Sequence, residues 1–476
     1  MTISVPARPA GPDPALLARF GAIVGDRYAL TDPADQAPYL TEPRDKWMGT
    51  TPMVLRPGSV DEVAAILKLA NETGTGIVPH GGGTGLVGGQ IANGEIVLST
   101  ARLDRVRTVD PASNTMICEA GVVLAKAQAA ADAVDRLFPL SLGSEGSCTI
   151  GGDLSTNAGG TGVIAYGNAR DLVLGLEVVL ADGRIWHGLN TLKKDNTGYD
   201  LKHLFMGAEG TLGIITAAVL KLFPRPRAVE TAFVAVPSPQ AALDLLNHAQ
   251  GRAGGTITGF ELIARIGIDF VLRHLPGSRD PLAAVHPWYV LMELSSPASE
   301  GLRATAEAIL AEGLEAGLVA DAVLAESVEQ ARTFWRLREA LSDVQKFEGG
   351  SIKHDVSVPI AAMPAFVAEA SELVERLVPG SRVVPFGHVG DGNLHFNVSQ
   401  PVGGDKAAFL ARWEEVNEAV HAVVARFGGS ISAEHGIGTL KRDLLPRYKD
   451  PVALELMRTI KAALDPNGIL NPGKVL

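Results

Sequence analysis

The sequence predicts an α+β protein with a large glycine-rich N-terminal part, a second α+β part built on an antiparallel sheet, and a short C-terminal helical segment. Three observations carry that reading. From Leu16 onward, short runs rich in Val, Ile and Leu alternate with amphipathic helical patterns. Three glycine-rich clusters crowd the first half. The run Phe223-Pro224-Arg225-Pro226-Arg227 breaks both helix and central strand, because proline lacks the N–H that either ladder needs. The expected divisions are therefore 1–226, 227–435 and 436–476.

The elements follow in order. Val60–Asn71 reads as an amphipathic helix stopped by Gly74, and Gly76–His80 as a short buried strand. Ile96–Ser99 and Met116–Glu119 are strands and Val122–Ala133 a helix, followed by strands at Leu174–Leu180 and Gly213–Leu222. Beyond the prolines, strands Ala232–Val236 and Tyr289–Leu294 alternate with helices such as Glu300–Glu312, an α+β layer. Pro451–Ala463 returns to helix, and a turn-rich tail runs from Asp465 to Lys474.

Composition narrows the function classes. The 476 residues suffice for two or three domains of roughly 100–200 residues each. A formal charge of -11 argues against sequence-independent nucleic-acid binding, which needs clustered Lys and Arg. Cys118 and Cys148 have no metal-binding spacing and suggest a reducing compartment. Met1–Leu16 lacks the apolar run of a signal peptide, and no stretch reaches the roughly 18 apolar residues of a membrane span. A cytoplasmic location is expected. Arg8 and Arg19 leave an organellar presequence, and so an organellar matrix, open.

The glycine clusters are Pro79–Gly89 (PHGGGTGLVGG), Leu142–Gly162 (LGSEGSCTIGGDLSTNAGGTG) and Gly207–Gly213 (GAEGTLG). Glycine lets main-chain N–H groups converge on an anion, so such loops suit a pyrophosphate. One cluster alone would read as a turn. Gly83-x-Gly85-x-x-Gly88 spells the dinucleotide fingerprint, but that fingerprint must open a helix. Here Asn93-Gly94, a hairpin signal, follows instead.

These loops, with KKDNTGYDLKHLFMGAEGTLGIIT, resemble the FAD-binding domain of vanillyl-alcohol-oxidase-type flavoproteins. Within that superfamily the chain is most similar to the D-lactate and D-2-hydroxyglutarate dehydrogenase branch, from about Trp47 to the C-terminus. The resemblance implies a two-subdomain FAD-binding domain. Pro79, Gly81, Gly82, Gly83, Thr84 and Gly85 would wrap the pyrophosphate. Leu142, Gly143, Ser147, Thr149, Gly151, Gly152, Ser155 and Asn157 would flank the isoalloxazine and ribityl chain. Gly210 and Ile215 would add backbone contacts, and Asn471 in the NPGK tail would approach the flavin. Relatives with covalent flavin often place a histidine at the end of the first loop, where Thr84 stands here, so the FAD is expected to be non-covalent. His80 reads as a loop or packing residue.

Two histidines share the segment PFGHVGDGNLHFNV. Strand alternation puts His395 and Asn397 on one face and Leu394, Phe396 and Val398 on the other. The loop between turns the chain back, so His388 approaches His395. Glu434 and His435 follow a short strand, Gly429–Ile431. A lone strand histidine is more often a hydrogen-bonded structural residue. Two imidazoles with a carboxylate also suit a Zn²⁺ or Mn²⁺ site with open positions. The resemblance implies that His388, His395 and Glu434 bind a divalent metal.

Roles follow from chemistry. The metal would hold the substrate's 1-carboxylate and 2-hydroxyl, His435 would take the hydroxyl proton, and Asn397 would orient the substrate. The C2 hydrogen would leave as hydride to flavin N5. His435 as a residue that only supports the metal ligands is the bland alternative.

Glu326–Phe347 reads as an amphipathic helix on which Arg338 and Ser342 share a face, and Ser351–Val358 as a strand with Lys353 and Asp355 on one side. Either cation alone would read as solvated. The resemblance implies that Arg338, Ser342 and Lys353 hold the distal carboxylate of a dicarboxylic substrate. The expected substrate is a D-2-hydroxydicarboxylate, D-2-hydroxyglutarate first, with D-lactate or glycolate as the alternative and a non-catalytic electron relay as a further one. A separate electron acceptor (electron-transfer flavoprotein, quinone or cytochrome) is implied, and a homodimer is left open.

Overall fold

A computed structural model describes residues 12–44 and 46–476. Arg8 lies outside them. The chain divides into two compact units. Unit 1 takes the residues up to Gly159, then Asn168–Arg225 and Glu434–Leu476; unit 2 takes Gly160–Gly167 and Pro226–Ala433. The tail is thus part of unit 1, and a short excursion inside the 1–226 stretch is part of unit 2.

Unit 1 holds two main sheets. The first, in order β1-β2-β4-β3, is formed by β1 (Ala29–Leu30), β2 (Val54–Leu55), β3 (Ile77–His80) and β4 (Ile96–Ser99). Strands β2, β4 and β3 run parallel, which requires a crossover between β2 and β3. The helix Val60–Thr73 provides it: Ser59 caps its N-terminus by accepting from Glu62 N–H, and Gly74 ends it in the left-handed conformation at φ 65°. Its Val63, Ile66, Leu67 and Ala70 are buried in the core of this sheet.

The remaining strands of unit 1 are β5 (Val106–Asp110), β6 (Thr115–Glu119), β7 (Arg136–Leu137), β8 (Val173–Val179), β9 (Ile185–Gly188), β10 (Ile214–Lys221) and β11 (Phe223–Pro224). Five of them form an antiparallel sheet, β5-β6-β10-β8-β9, while β11 pairs with β7. The near-continuous apolar runs of β8 and β10 sit at its centre, buried on both faces.

Unit 2 is built on one antiparallel sheet. Its strands are β12 (Ala228–Val236), β13 (Ile257–Ala264), β14 (Trp288–Ser296), β15 (Asp321–Leu324), β16 (Ser351–Ile352), β17 (Asp355–Ser357), β18 (Arg382–His388) and β19 (Asn393–Ser399). The order is β15-β12-β14-β13-β18-β19-β16, with β17 also on β19. Alternation along the strands feeds two cores. Phe260, Leu262, Leu394, Phe396 and Val398 enter one with the helices Pro239–Ala253, Met363–Leu377 and Trp413–Arg426. Ile263, Val384 and Phe386 enter the other with the helices Arg265–His274 and Val328–Val344.

Three expected elements differ. The helix expected to Phe347 ends at Val344 and tightens into a 3-10 turn, Gln345–Glu348; the buried Gln345 side chain donates to Leu341 O at 2.8 Å there. The strand expected over Ser351–Val358 is interrupted at Lys353 and His354, although its register against β19 is continuous on both sides. Gly429–Ile431 is reduced to a single bridge between Ser430 and Ser357.

The tail of unit 1 is held by a buried charge. Asp465, 2% exposed, accepts from Ile469 N–H (3.0 Å), Leu470 N–H (2.8 Å) and the Lys461 ammonium. Lys461 also donates to Thr211 O and Leu470 O. Removing one member of a buried pair leaves the other charge uncompensated. Asp465→Ala is therefore expected to lower stability by about 3 kcal/mol in urea unfolding followed by fluorescence.

Candidate functional site

The three glycine clusters and the tail converge within unit 1. Strand β3 delivers Pro79 and opens the first loop, where Gly81 lies so close to the second cluster that an added Cβ would sit 2.6 Å from Thr149 Oγ1. At Gly82 a Cβ would collide with Ser147 O. Gly210, at φ 70°, packs on the Pro79 ring. No helix follows Gly88; the chain turns at Gly94 into β4, so the fingerprint match is one of letters only.

The second cluster forms the helix Ile150–Thr156, which contains Gly151, Gly152 and Ser155 and is closed by Asn157 at φ 53°. Ser155 O accepts from Glu209 N–H at 2.8 Å, which joins the second cluster to the third. The tail runs beside β3: Asn471 N–H donates to Ile77 O (2.8 Å), and its Nδ2 donates to Gly89 O (3.0 Å) and Glu209 O (2.7 Å). Leu142 and Gly143 lie in the irregular stretch before the helix, Thr84 in the first loop, and Ile215 in β10.

Thr149 Oγ1 and Asn471 Oδ1, both buried in this cradle, have no hydrogen-bond partner among the described residues. Buried hydrogen-bonding atoms are costly when unpaired. A polar ligand that bonds both fits the cradle, as does FAD with its pyrophosphate and its hydroxyl-bearing chain.

Glu209 reads in the sequence as one residue of a glycine cluster. Its buried carboxylate accepts from Ile437 N–H (2.7 Å) and Gly438 N–H (2.8 Å), which pins the stretch just after His435. Burial pushes its pKa up against those two bonds. Its only sequence signal was an acid inside a glycine-rich loop.

In unit 2 the strand register assembles a polar face. Glu261 pairs with His388 across β13 and β18. His388 pairs with Asn393, Phe386 with His395 and Val384 with Asn397 across β18 and β19. Asp355 pairs with His395, and the continuous register sets Lys353 opposite Asn397. Directly opposite residues share a face. The expected grouping of His395 with Asn397, and of Leu394, Phe396 and Val398 on the other side, is what the strands show.

The His388 and His395 rings are 5.9 Å apart. Ala433, the last residue of unit 2, donates to Asp355 O at 3.3 Å. The next residue, Glu434, brings a carboxylate oxygen into a group with His388 and His395 whose ligand atoms all lie within 4.8 Å of one another. His435 follows Glu434, half-buried.

On the helix Val328–Val344, Arg338 is buried and its Nε donates to Glu261 Oε2 at 2.7 Å. Its guanidinium also stands over the Phe386 ring at 5.0 Å. Ser342 is half-buried, and its carbonyl accepts from Lys353 Nζ at 2.8 Å. Glu261 is the other residue that sequence reading missed. It is an acid in the apolar strand Phe260-Glu261-Leu262-Ile263, fully buried, with Oε1 2.5 Å from His388 Nδ1. Burial alone would push its carboxyl up. The charges of His388 and Arg338, with their hydrogen bonds, outweigh that and hold it at about 2.

Fold and sequence now identify the class. Residues 51–188 match the family described as FAD binding domain, and residues 225–475 that described as FAD linked oxidases, C-terminal domain. The chain belongs to the FAD-linked oxidases. Its fold is of the vanillyl-alcohol-oxidase type: p-cresol methylhydroxylase with substrate bound superposes with a TM-score of 0.77 at 17% identity, over 97% of this chain and 96% of that one.

Among relatives, the mitochondrial D-2-hydroxyglutarate dehydrogenase of Arabidopsis thaliana is 38% identical over 96% of this chain and 80% of its own length. The D-2-hydroxyglutarate dehydrogenase of Xanthomonas citri pv. viticola is 39% identical over 97% of both. No helix among the described residues is long and apolar enough to cross a membrane.

Two outcomes are expected in unit 1. Gly82→Ala forces the first loop off the Ser147 carbonyl, so the variant should purify with little bound flavin, read from its visible absorbance. His80, buried at the end of β3 with Nδ1 3.0 Å from Gly81 O, is pushed by burial from its usual 6.5 down to about 4. The unfolded chain therefore binds this proton first, and stability falls as pH drops through that window. The loss should reach about 2 kcal/mol between about pH 7 and pH 5, and His80→Gln should lose that component of the slope in urea titrations.

Proposed function

We propose that this protein is an FAD-dependent dehydrogenase that oxidises a D-2-hydroxydicarboxylate, D-2-hydroxyglutarate first, to its 2-oxo acid. The observation that carries the reading is one polar sheet face bearing His388, His395, Asn397 and Lys353, with the carboxylate of Glu434 brought to the two imidazoles. The identity to D-2-hydroxyglutarate dehydrogenases over nearly the whole chain supports the same substrate.

When bound at His388, His395 and Glu434, a divalent ion, Zn²⁺ or Mn²⁺, would supply Lewis acidity to the 2-hydroxyl, and non-covalent FAD would supply the hydride acceptor at N5. The chain's residues do the rest. His435 accepts the hydroxyl proton, the general-base role that a positioned histidine most often fills. Asn397 orients the substrate. Arg338, Ser342 and Lys353 hold the distal carboxylate, with Arg suited to paired N–H bonds and Lys to a point charge. Pro79, Gly81–Gly85, Leu142, Gly143, Ser147, Thr149, Gly151, Gly152, Ser155, Asn157, Gly210, Ile215 and Asn471 hold the flavin. The electrons leave to a separate acceptor, and the setting is the cytoplasm or an organellar matrix.

Anaerobic stopped flow tests the reading. Flavin absorbance should bleach rapidly with D-2-hydroxyglutarate, fail to bleach after chelation, and recover with Zn²⁺ or Mn²⁺. Bleaching by D-lactate alone would discard the dicarboxylate; bleaching by neither would leave a flavin relay. Lys353→Met is the cleaner pocket variant, because Arg338→Ala would also strip Glu261 of a partner. Lys353→Met should lower kcat/KM for D-2-hydroxyglutarate by at least about 30-fold, the cost of losing one partner of a buried charge pair, and leave D-lactate turnover nearly unchanged.

A further inference from the structure

Glu261 stands where the apolar pattern of β13 would place a hydrophobic residue, flanked by Phe260 and Leu262 in one core and followed by Ile263 in the other. A fully buried carboxylate costs several kcal/mol unless each oxygen is matched. Both are. Oε1 meets His388 Nδ1 and Oε2 meets Arg338 Nε.

The partners come from two other elements, 127 residues away on β18 and 77 residues away on the helix Val328–Val344. The bond between Nδ1 and Glu261 fixes the orientation of the His388 ring and makes Nε2 the atom it can offer to an ion. Use of Nε by the other oxygen fixes the Arg338 fork by its stem and leaves its two terminal nitrogens for a planar anion.

We propose that Glu261 is the positioning residue of this site, setting through His388 the affinity for the divalent ion and through Arg338 the preference for a substrate with a second carboxylate. The inference rests on the metal-and-dicarboxylate reading above. It makes two otherwise separate properties depend on one carboxylate. A residue that merely filled the sheet would, when changed, lower the melting temperature without moving either.

The test uses FAD-loaded enzyme stripped of metal and titrated with Mn²⁺, followed by the free-ion EPR signal, and with Zn²⁺ in competition with a chromogenic chelator. Glu261→Gln keeps an oxygen for His388 but turns an N–H₂ toward the Arg338 Nε–H. It is expected to weaken metal binding by about 10–100-fold. It should also raise KM for D-2-hydroxyglutarate several-fold more than KM for D-lactate.

Glu261→Asp, which keeps the charge on a shorter stem, should recover part of both losses. If it alone folds with FAD, its own metal affinity and KM ratio decide the matter. Variants that retain FAD and bind both ions as tightly as the wild type, with only a lower melting temperature, would overturn the proposal. A wild-type enzyme that takes up neither ion would overturn the metal reading and this inference with it.

Discussion

The seven-pair antiparallel register between β18 and β19 is the constraint on which the polar face depends. It sets His388, His395 and Asn397 on one side and Leu394, Phe396 and Val398 on the other. A slip of one residue would turn Leu394, Phe396 and Val398 out of a closed core and drive His395 and Asn397 into it. Each large side chain lost from the core costs about 1.5–3 kcal/mol, and each unpaired polar group driven in costs a comparable amount. The hydrophobic effect thus decides which way the chemical groups face.

Unit 1 works by the opposite means, the removal of side chains. At Gly81, Gly82 and Gly210 a Cβ would strike the Thr149 hydroxyl, the Ser147 carbonyl and the Pro79 ring. Among the described residues, buried polar atoms of this region such as Thr149 Oγ1 and Asn471 Oδ1 have no partner and can meet a cofactor. The Glu209 carboxylate and the Asp465–Lys461 pair then tie the tail and the segment after His435 to the same framework. Charge is spent on holding the cradle together, and glycine on opening it.

How much of this was legible depended on range along the chain. The helix Val60–Thr73 was readable because its cap, apolar stripe and terminating glycine are all local. The two faces of Asn393–Ser399 were readable for the same reason, since alternation is a property of neighbours. Glu261 was not, because its partners lie 127 and 77 residues away and an isolated acid in an apolar strand does not say which cations it will meet. The early end of the helix at Val344 has no local sequence signal, since it coincides with a side-chain bond from Gln345 back to Leu341 O. The excursion Gly160–Gly167 reads as one more glycine-rich loop, and only in three dimensions does its Ile164 prove to pack on Gly390 of unit 2.

That contact bears on why the two histidines are seven positions apart. His388 and Asn393 are the last pair of the hairpin, so a second ligand two residues beyond Asn393 falls on the face of His388, two pairs further along. The intervening loop, Val389-Gly390-Asp391-Gly392, has little room to change. A Cβ at Gly390 would strike Ile164, and one at Gly392, which sits at φ 78°, would strike Val358 O. Asp391 accepts from Asn393 N–H at 2.9 Å, and Gly392 N–H donates to His388 O at 3.1 Å, closing the turn on itself. The spacing is that of a hairpin whose loop is fitted on both sides, and moving the second histidine by one position would send it into the Leu394 and Phe396 core.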